Sequence, residues 1–131
     1  MNALDRIGPL VGRCLLGLLF IVSGIGKITG YSATAGYMAG HGLPFVALLL
    51  PLTILVELGG GLMLVVGWHV RWAAFVLFLF LIPTTLIFHN FWAVPAEQMQ
   101  GQKIHFLKNL AIMGGILYAA VFGSGPLSAH Q

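Results

Sequence analysis

The chain has 131 residues, of which 59% are hydrophobic and only 7% charged, with a net charge of +3. Soluble domains run at about 45–50% apolar and about 25% charged, so a water-soluble fold of this length would have too little polar surface to cover itself. The six basic residues are scattered among segment ends and form no patch, which argues against a nucleic-acid partner.

Four apolar stretches follow one another, at 9–26, 45–68, 72–88 and 104–122. A hydrocarbon core about 30 Å thick needs roughly 20 apolar residues per helix, and each stretch approaches that length. Residues 15–22 and 75–82 show no polar stripe at helical period, as a soluble bundle would require. The expectation is an all-α polytopic membrane protein. It is an antiparallel four-transmembrane-helix bundle forming a single domain over 1–131, with helices over about 9–27, 45–68, 72–90 and 104–123.

The first stretch carries Arg13 and ends in Lys27 with no small-residue cleavage site, so it is expected to be retained and not removed as a signal peptide. Arg13, Gly17, Phe20, Gly24 and Lys27 recur at four-three-four-three spacing and share one helix face. Cys14 is the single cysteine; it reads as a small packing residue and allows neither an intramolecular disulfide nor a Cys-x-x-Cys centre. Residues 32–40 predict a short interfacial helix between the first two crossings, capped by Ser32, with Tyr31 and Tyr37 at headgroup depth. Gly42, Leu43 and Pro44 then break it.

In the second crossing Thr53, Glu57, Gly60, Gly61 and Leu64 share a face, so the lone acid is flanked by small residues that permit close helix approach. Pro51, and Pro83 in the third crossing, predict kinks. The short turn at 67–71 forces the second and third crossings antiparallel. Ile82, Thr85 and His89 line up on the third. Residues 91–102, with Trp92 and Pro95, read as an interfacial loop, after which His105, Lys108, Asn109, Ile112, Ile116 and Ala119 share a face of the fourth. Trp68, Trp72 and Trp92 suit aromatic belts. Both termini fall on one side, and Arg6 and Arg71 against Lys103 tip that side towards the cytoplasm.

A charge at mid-bilayer costs about 2.5–3.5 kcal/mol on insertion scales, so Glu57 should face the bundle and meet a base; Lys27, Lys108 and Arg13 are the candidates. Three readings stand side by side. The pair could be a buried ion pair that locks helix register, or Lys27 could be a snorkelling helix end. Alternatively, Lys27, Glu57, His89, Asn90, Lys108 and Asn109 line a polar pocket near the face opposite the termini and hold a small polar head or a quinone-like ring. Arg13, Ser23 and His105 are then structural polar groups. His89 and His105 could ligate haem only at matched depth on facing helices, and His105 at a helix start would sit in headgroup water. Zinc would need further ligands that the sparse acids hardly supply, so no metal is expected. His41, His69 and His130 read as solvated. No Ser-His-Asp arrangement or phosphate loop occurs, and Gly24 and Gly26 lie in a membrane helix, not after a strand. No catalytic residue is assigned.

The run from Phe20 through Ser23, Gly24 and Gly26 to Lys27 closes the first helix, and Leu43-Pro44 precedes the second. With Glu57-Leu58-Gly59-Gly60-Gly61, Gly67 and Arg71 at the turn, Phe88-His89-Asn90-Phe91 and Lys108-Asn109-Leu110, the chain resembles the DoxX family along essentially its whole length. The likeness is to that family's small bacterial inner-membrane proteins. The resemblance implies a compact four-helix membrane protein and, since relatives include a subunit associated with thiosulfate:quinone oxidoreduction and an organiser of a membrane redox complex, a redox-linked setting. A thiol relay within one subunit would need the second cysteine that is missing here.

The leading expectation is therefore a small membrane component of a redox-linked system that binds a quinone. Lysine and histidine would donate to its carbonyl oxygens, and Glu57 would hold or relay the balancing proton. Whether such a component is a quinone-linked oxidoreductase subunit or has no catalysis of its own stays open. Its partners would be membrane lipids and either soluble redox enzymes or further copies in a homo-oligomer. The alternative is a non-catalytic scaffold that recruits soluble enzymes. A transporter is a third option, but four helices without a visible inverted repeat argue against a monomeric carrier.

Overall fold

A computed structural model describes residues 2–130. The chain is helical almost throughout. Helix α1 (Ala3–Thr29) opens on Asn2, whose side-chain oxygen accepts from the Asp5 amide at 2.8 Å, with Asp5 in the first turn complementing the helix dipole. It ends at Gly30, whose amide donates to Gly26. Helix α2 (Tyr31–Gly40) follows at once, one residue earlier than expected and without a side-chain cap; Gly30, not Ser32, is its N-cap residue. Helix α3 (Val46–Val66) starts after Phe45 in a left-handed conformation and stops at Gly67, also left-handed at φ 79°. Helix α4 (Val70–Phe88) begins within three residues of that stop, which the turn achieves by holding His69 left-handed as well, at φ 47°.

A single 3-10 turn (Phe91–Ala93) leads to helix α5 (Ala96–Phe122). Here the expectation of an interfacial loop over 91–102 is corrected. Helix α5 starts at Ala96 and not at 104 because Pro95 can precede a first turn, Glu97 suits the positive end of the dipole, and Gln98 to Lys103 are mostly helix formers. That stretch carries no apolar stripe to announce it. In consequence His105 lies in the third turn of α5 and not at a helix start.

Four of these helices, α1, α3, α4 and α5, are long and apolar enough to cross a membrane. In space they run α1, α3, α4, α5, each packed on the next, while α1 and α5 touch only lightly and α2 lies against α3 and α1. Phe20, Leu64, Leu77, Leu81 and Ile116 form the shared core. On α1 the buried residues are Arg13, Gly17, Phe20 and Gly24, the face expected from their spacing. Ile82, placed on the same face as Thr85, points outward instead, and Leu81 and Thr85 carry the buried side of α4. Leucines such as Leu15, Leu18 and Leu55 face outward, which costs nothing against acyl chains.

After α5 the tail doubles back over the α3–α4 turn. Ala129 donates to Val66 at 3.2 Å, His130 to Gly67 at 3.0 Å, and the His69 amide to His130 at 2.9 Å. His69, expected as a solvated loop histidine, is half-buried with its ring edge-on to that of His130, centroids 4.8 Å apart. The tail satisfies turn amides and carbonyls that water would otherwise have to reach.

Candidate functional site

Ser23 and Lys27 stand one turn apart on α1 and face Glu57 on α3. Lys27 Nζ lies 2.9 Å from Glu57 Oε1 and donates to Ser23 Oγ at 2.8 Å, and Ser23 in turn donates to Glu57 Oε2 at 2.8 Å. The three groups form a closed circuit in which one oxygen of the carboxylate meets the ammonium and the other meets a hydroxyl. Glu57 is 5% exposed, whereas the Lys27 side chain retains 27% of its surface. A buried carboxylate needs both a counter-charge and hydrogen bonds to offset its desolvation, and this arrangement supplies both. Of the three bases considered, Lys27 meets Glu57; Arg13 and Lys108 do not.

The exposed part of Lys27 opens on a cavity of about 410 Å³, within the roughly 300–1,000 Å³ usual for small-molecule sites. Its walls come from α1, α2, α3 and α4. Thr34, Tyr37 and Met38 of α2 form one side, Thr53 another, and Phe80, Thr84, Phe88 and His89 the side given by α4 and its end. Thr34 donates to Gly30 at 2.9 Å and Thr84 to Phe80 at 2.9 Å, so each hydroxyl has its proton committed and its lone pairs left over. Tyr37 stacks on Phe88 at 5.4 Å, and the His41 ring packs against both. His41 Nδ1 donates to the Tyr37 carbonyl at 2.9 Å, which fixes its tautomer. His41 is exposed, as expected of a solvated histidine, and its ring also packs in this aromatic cluster.

His89 shares the cavity with Lys27. Its Nδ1 donates to Gln102 Oε1 at 3.0 Å and its ring lies face to face with His105 at 5.2 Å. The remaining expected residues lie elsewhere. Asn90 is half-buried and begins the 3-10 turn, its carbonyl accepting from Ala93. Lys108 is exposed. Asn109 donates to Thr85 Oγ1 at 3.1 Å and ties α5 to α4. One cluster fed by all four helices thus resolves into two centres, because α5 packs on α4 and does not reach the α1–α3 seam where the acid lies. Among the described residues no group of three or more His, Cys, Asp or Glu side chains gathers to hold a metal ion.

The tie between α4 and α5 makes a limited prediction. Replacing Asn109 by Leu removes one interhelical hydrogen bond, and such bonds in membrane bundles average about 0.6 kcal/mol with a maximum near 1.7. Unfolding by detergent titration should show a loss below about 2 kcal/mol; a larger loss would mean that Asn109 supports more than Thr85.

Reasoning from sequence missed the part played by α2. Thr34, Tyr37 and Met38 are spaced for one helical face, and that spacing could have pointed to a packed surface. The apolar and small neighbours on the opposite face hid it.

The sequence profile of the DoxX family matches residues 8–90. The chain belongs to the DoxX family. That span runs from α1 to the end of α4, so the DoxX match contains Ser23, Lys27, Glu57 and His89 but not Asn109. Inner membrane protein YqjF of Escherichia coli is 41% identical over 131 residues, which is 100% of this chain and 95% of the relative. Inner membrane protein YphA of the same organism is 29% identical over 122 residues, 93% and 87% of the two chains. A Surfeit locus protein 4 homolog of Schizosaccharomyces pombe is 34% identical over 71 residues, 53% of this chain and 24% of that one. No solved structure matches significantly. With four helices able to span a bilayer, the protein is a DoxX-family inner-membrane protein.

Proposed function

We propose that the cavity beside the Lys27–Ser23–Glu57 circuit binds a quinone or a similar lipid-soluble ring, and that the protein is a small membrane component of a redox-linked system. The observation that carries this reading is a partly exposed lysine, charge-balanced from behind by a buried carboxylate, at the wall of an otherwise apolar and aromatic cavity. An ammonium so placed can donate to a carbonyl oxygen without leaving Glu57. Phe80 and Phe88 suit the flat face of a ring. His89, whose Nδ1 proton is engaged by Gln102, presents Nε2 as an acceptor for a hydroquinone hydroxyl or, once protonated, as a donor to a quinone carbonyl. In this proposal Glu57 takes up or returns a proton through Ser23, whose hydroxyl donates to it.

In this reading both termini face the cytoplasm, with Arg6 and Arg71 on that side, and the cavity lies in the other half of the membrane. The components that load and unload the quinone are soluble or membrane redox enzymes.

The test uses the purified full chain in detergent and a short-chain ubiquinone analogue, followed by isothermal titration. Ala33→Phe projects into the cavity from α2 and leaves the ion pair untouched; it should weaken binding about tenfold or more, the effect of losing a well-fitted ring contact. Glu57→Gln should weaken it several-fold by leaving Lys27 without its counter-charge. If both variants fold and bind the analogue as the unmodified protein does, the cavity is not a quinone site.

A further inference from the structure

Arg13 lies at the end of the molecule opposite the cavity and is 3% exposed. Part of its guanidinium is engaged. Nη1 donates to Leu64 at 2.9 Å and Val65 at 3.4 Å, and Nη2 donates to Leu127 in the returning tail. Leu64 and Val65 offer last-turn carbonyls of α3, which have no helical partner and sit at the negative end of its dipole. Nε, in contrast, is enclosed and has no acceptor among the described residues.

Nor, among the described residues, does a carboxylate answer the charge. The chain has three acids: Glu57 is paired with Lys27, Glu97 begins α5 at the far end, and Asp5 is exposed about two turns before Arg13. Carbonyl dipoles offset a buried guanidinium only in part, and a buried ion without a counter-ion is costly.

A cleft of about 300 Å³ opens beside Arg13, between α1 and α5. Leu16, Ala119 and Gly115 line its depth and Tyr118 and Phe122 its rim. These two rim residues are 71% and 70% exposed, and α1 and α5 scarcely touch, so the cleft faces sideways into the acyl region. Its height is marked independently. Trp68 and Trp72, both exposed, flank the turn that Arg13 caps, and tryptophan favours the boundary between headgroups and acyl chains.

From the enclosed donor, the absence of a counter-charge among the described residues and the lateral apolar cleft at headgroup depth, we propose that the α1–α5 cleft is a binding site for an anionic phospholipid. A phosphate oxygen accepts from Arg13 Nε, which turns from its enclosed position towards the cleft as the lipid binds, and one acyl chain lies along Leu16, Tyr118 and Phe122. The guanidinium fork is suited to phosphate geometry, and the lipid fills the seam that protein contacts leave open.

Native mass spectrometry of the full chain in detergent, titrated with phosphatidylglycerol or phosphatidylcholine of identical acyl chains, tests this. Phosphatidylglycerol should be retained about tenfold better, the effect of one charge-assisted hydrogen bond. Gly115→Leu grows into the cleft, its Cβ meeting only the Leu16 methyl groups at 3.6 and 3.7 Å, and should bring the two lipids to parity. Gly12→Leu, with nothing within 4 Å of its Cβ, is the second cleft-filling variant should the first not fold. Arg13→Lys keeps a charge to cap α3 but lacks Nε, and should lose the preference too. Equal retention of the two lipids by the unmodified protein, or an undiminished preference in the folded cleft variants, overturns the proposal. Inorganic phosphate titrated alone separates the sources: if it displaces phosphatidylglycerol completely, the site is one for a free anion and the lipid assignment fails.

Discussion

Replacing Gly17 by alanine is expected to destabilise the protein by about 3 kcal/mol or more, at the upper end of what overpacking a core produces. A Cβ at this position would lie 2.6 Å from the Gly61 carbonyl oxygen and 2.7 Å from Val65 Cγ2. The first of these is backbone and cannot rotate aside, so α1 and α3 must separate. The same contact exists in reverse, with a Cβ on Gly61 falling 2.8 Å from the Gly17 carbonyl oxygen. In lipid, helix association rests on van der Waals packing and interhelical hydrogen bonds, since acyl chains are as apolar as leucine. A seam forced open by even half an ångström therefore loses much of what holds it. Ser23 and Glu57 lie on the same two helices, so the quinone-analogue binding proposed above should fall with stability. Gly26→Ala is the control, because nothing stands within 4 Å of its Cβ; there the methyl group should be neutral or slightly favourable through helix propensity. Thermal unfolding in detergent decides the matter, and equal midpoints for Gly17→Ala and Gly26→Ala would show that the seam is not closely packed.

Lys27→Met is the second large effect. It leaves the Glu57 carboxylate enclosed without a counter-charge, and breaking a buried pair from one side costs about 3–5 kcal/mol. The opposite change, Glu57→Gln, should be milder by at least 1 kcal/mol: the amide still accepts from Ser23, and Lys27, with 27% of its side chain exposed, can turn its ammonium towards the cavity and the interface. Combining the two substitutions should then recover most of the stability that Lys27→Met removes. Detergent-titration unfolding of the three variants tests the asymmetry. A double variant no more stable than Lys27→Met would mean that the lysine contributes through packing of its stem and not through its charge.

Much of the candidate site follows from reasoning one helix at a time. Glu57 in the middle of an apolar span had to meet a base, and Lys27 lay on the face of α1 that carries Arg13, Gly17, Phe20 and Gly24. What a single helix does not reveal is its azimuth relative to the others. Lys108 satisfied the same spacing argument as Lys27, yet it is exposed, because the polar face of α5 is split between α4, which takes Asn109, and the outside. Arg13 shares the face of Lys27 but meets the end of α3, since the antiparallel packing sets residue 13 beside the last turn and residue 23 beside the middle.

The amino-acid sequence alone determined that the chain crosses a membrane four times as helices, because length and uniform apolarity answer to the thickness of the hydrocarbon core and to nothing in the rest of the fold. It also determined family membership and the seam face of α1, since both rest on local order and helical period. Only the tertiary structure decided which base meets Glu57, that α2 walls the cavity, that the tail returns to the α3–α4 turn, and that α5 leaves a cleft against α1. These depend on the order and rotation of helices around one another. Small residues at contacts and the closing of individual hydrogen bonds set that arrangement, and no pattern within a single segment encodes it.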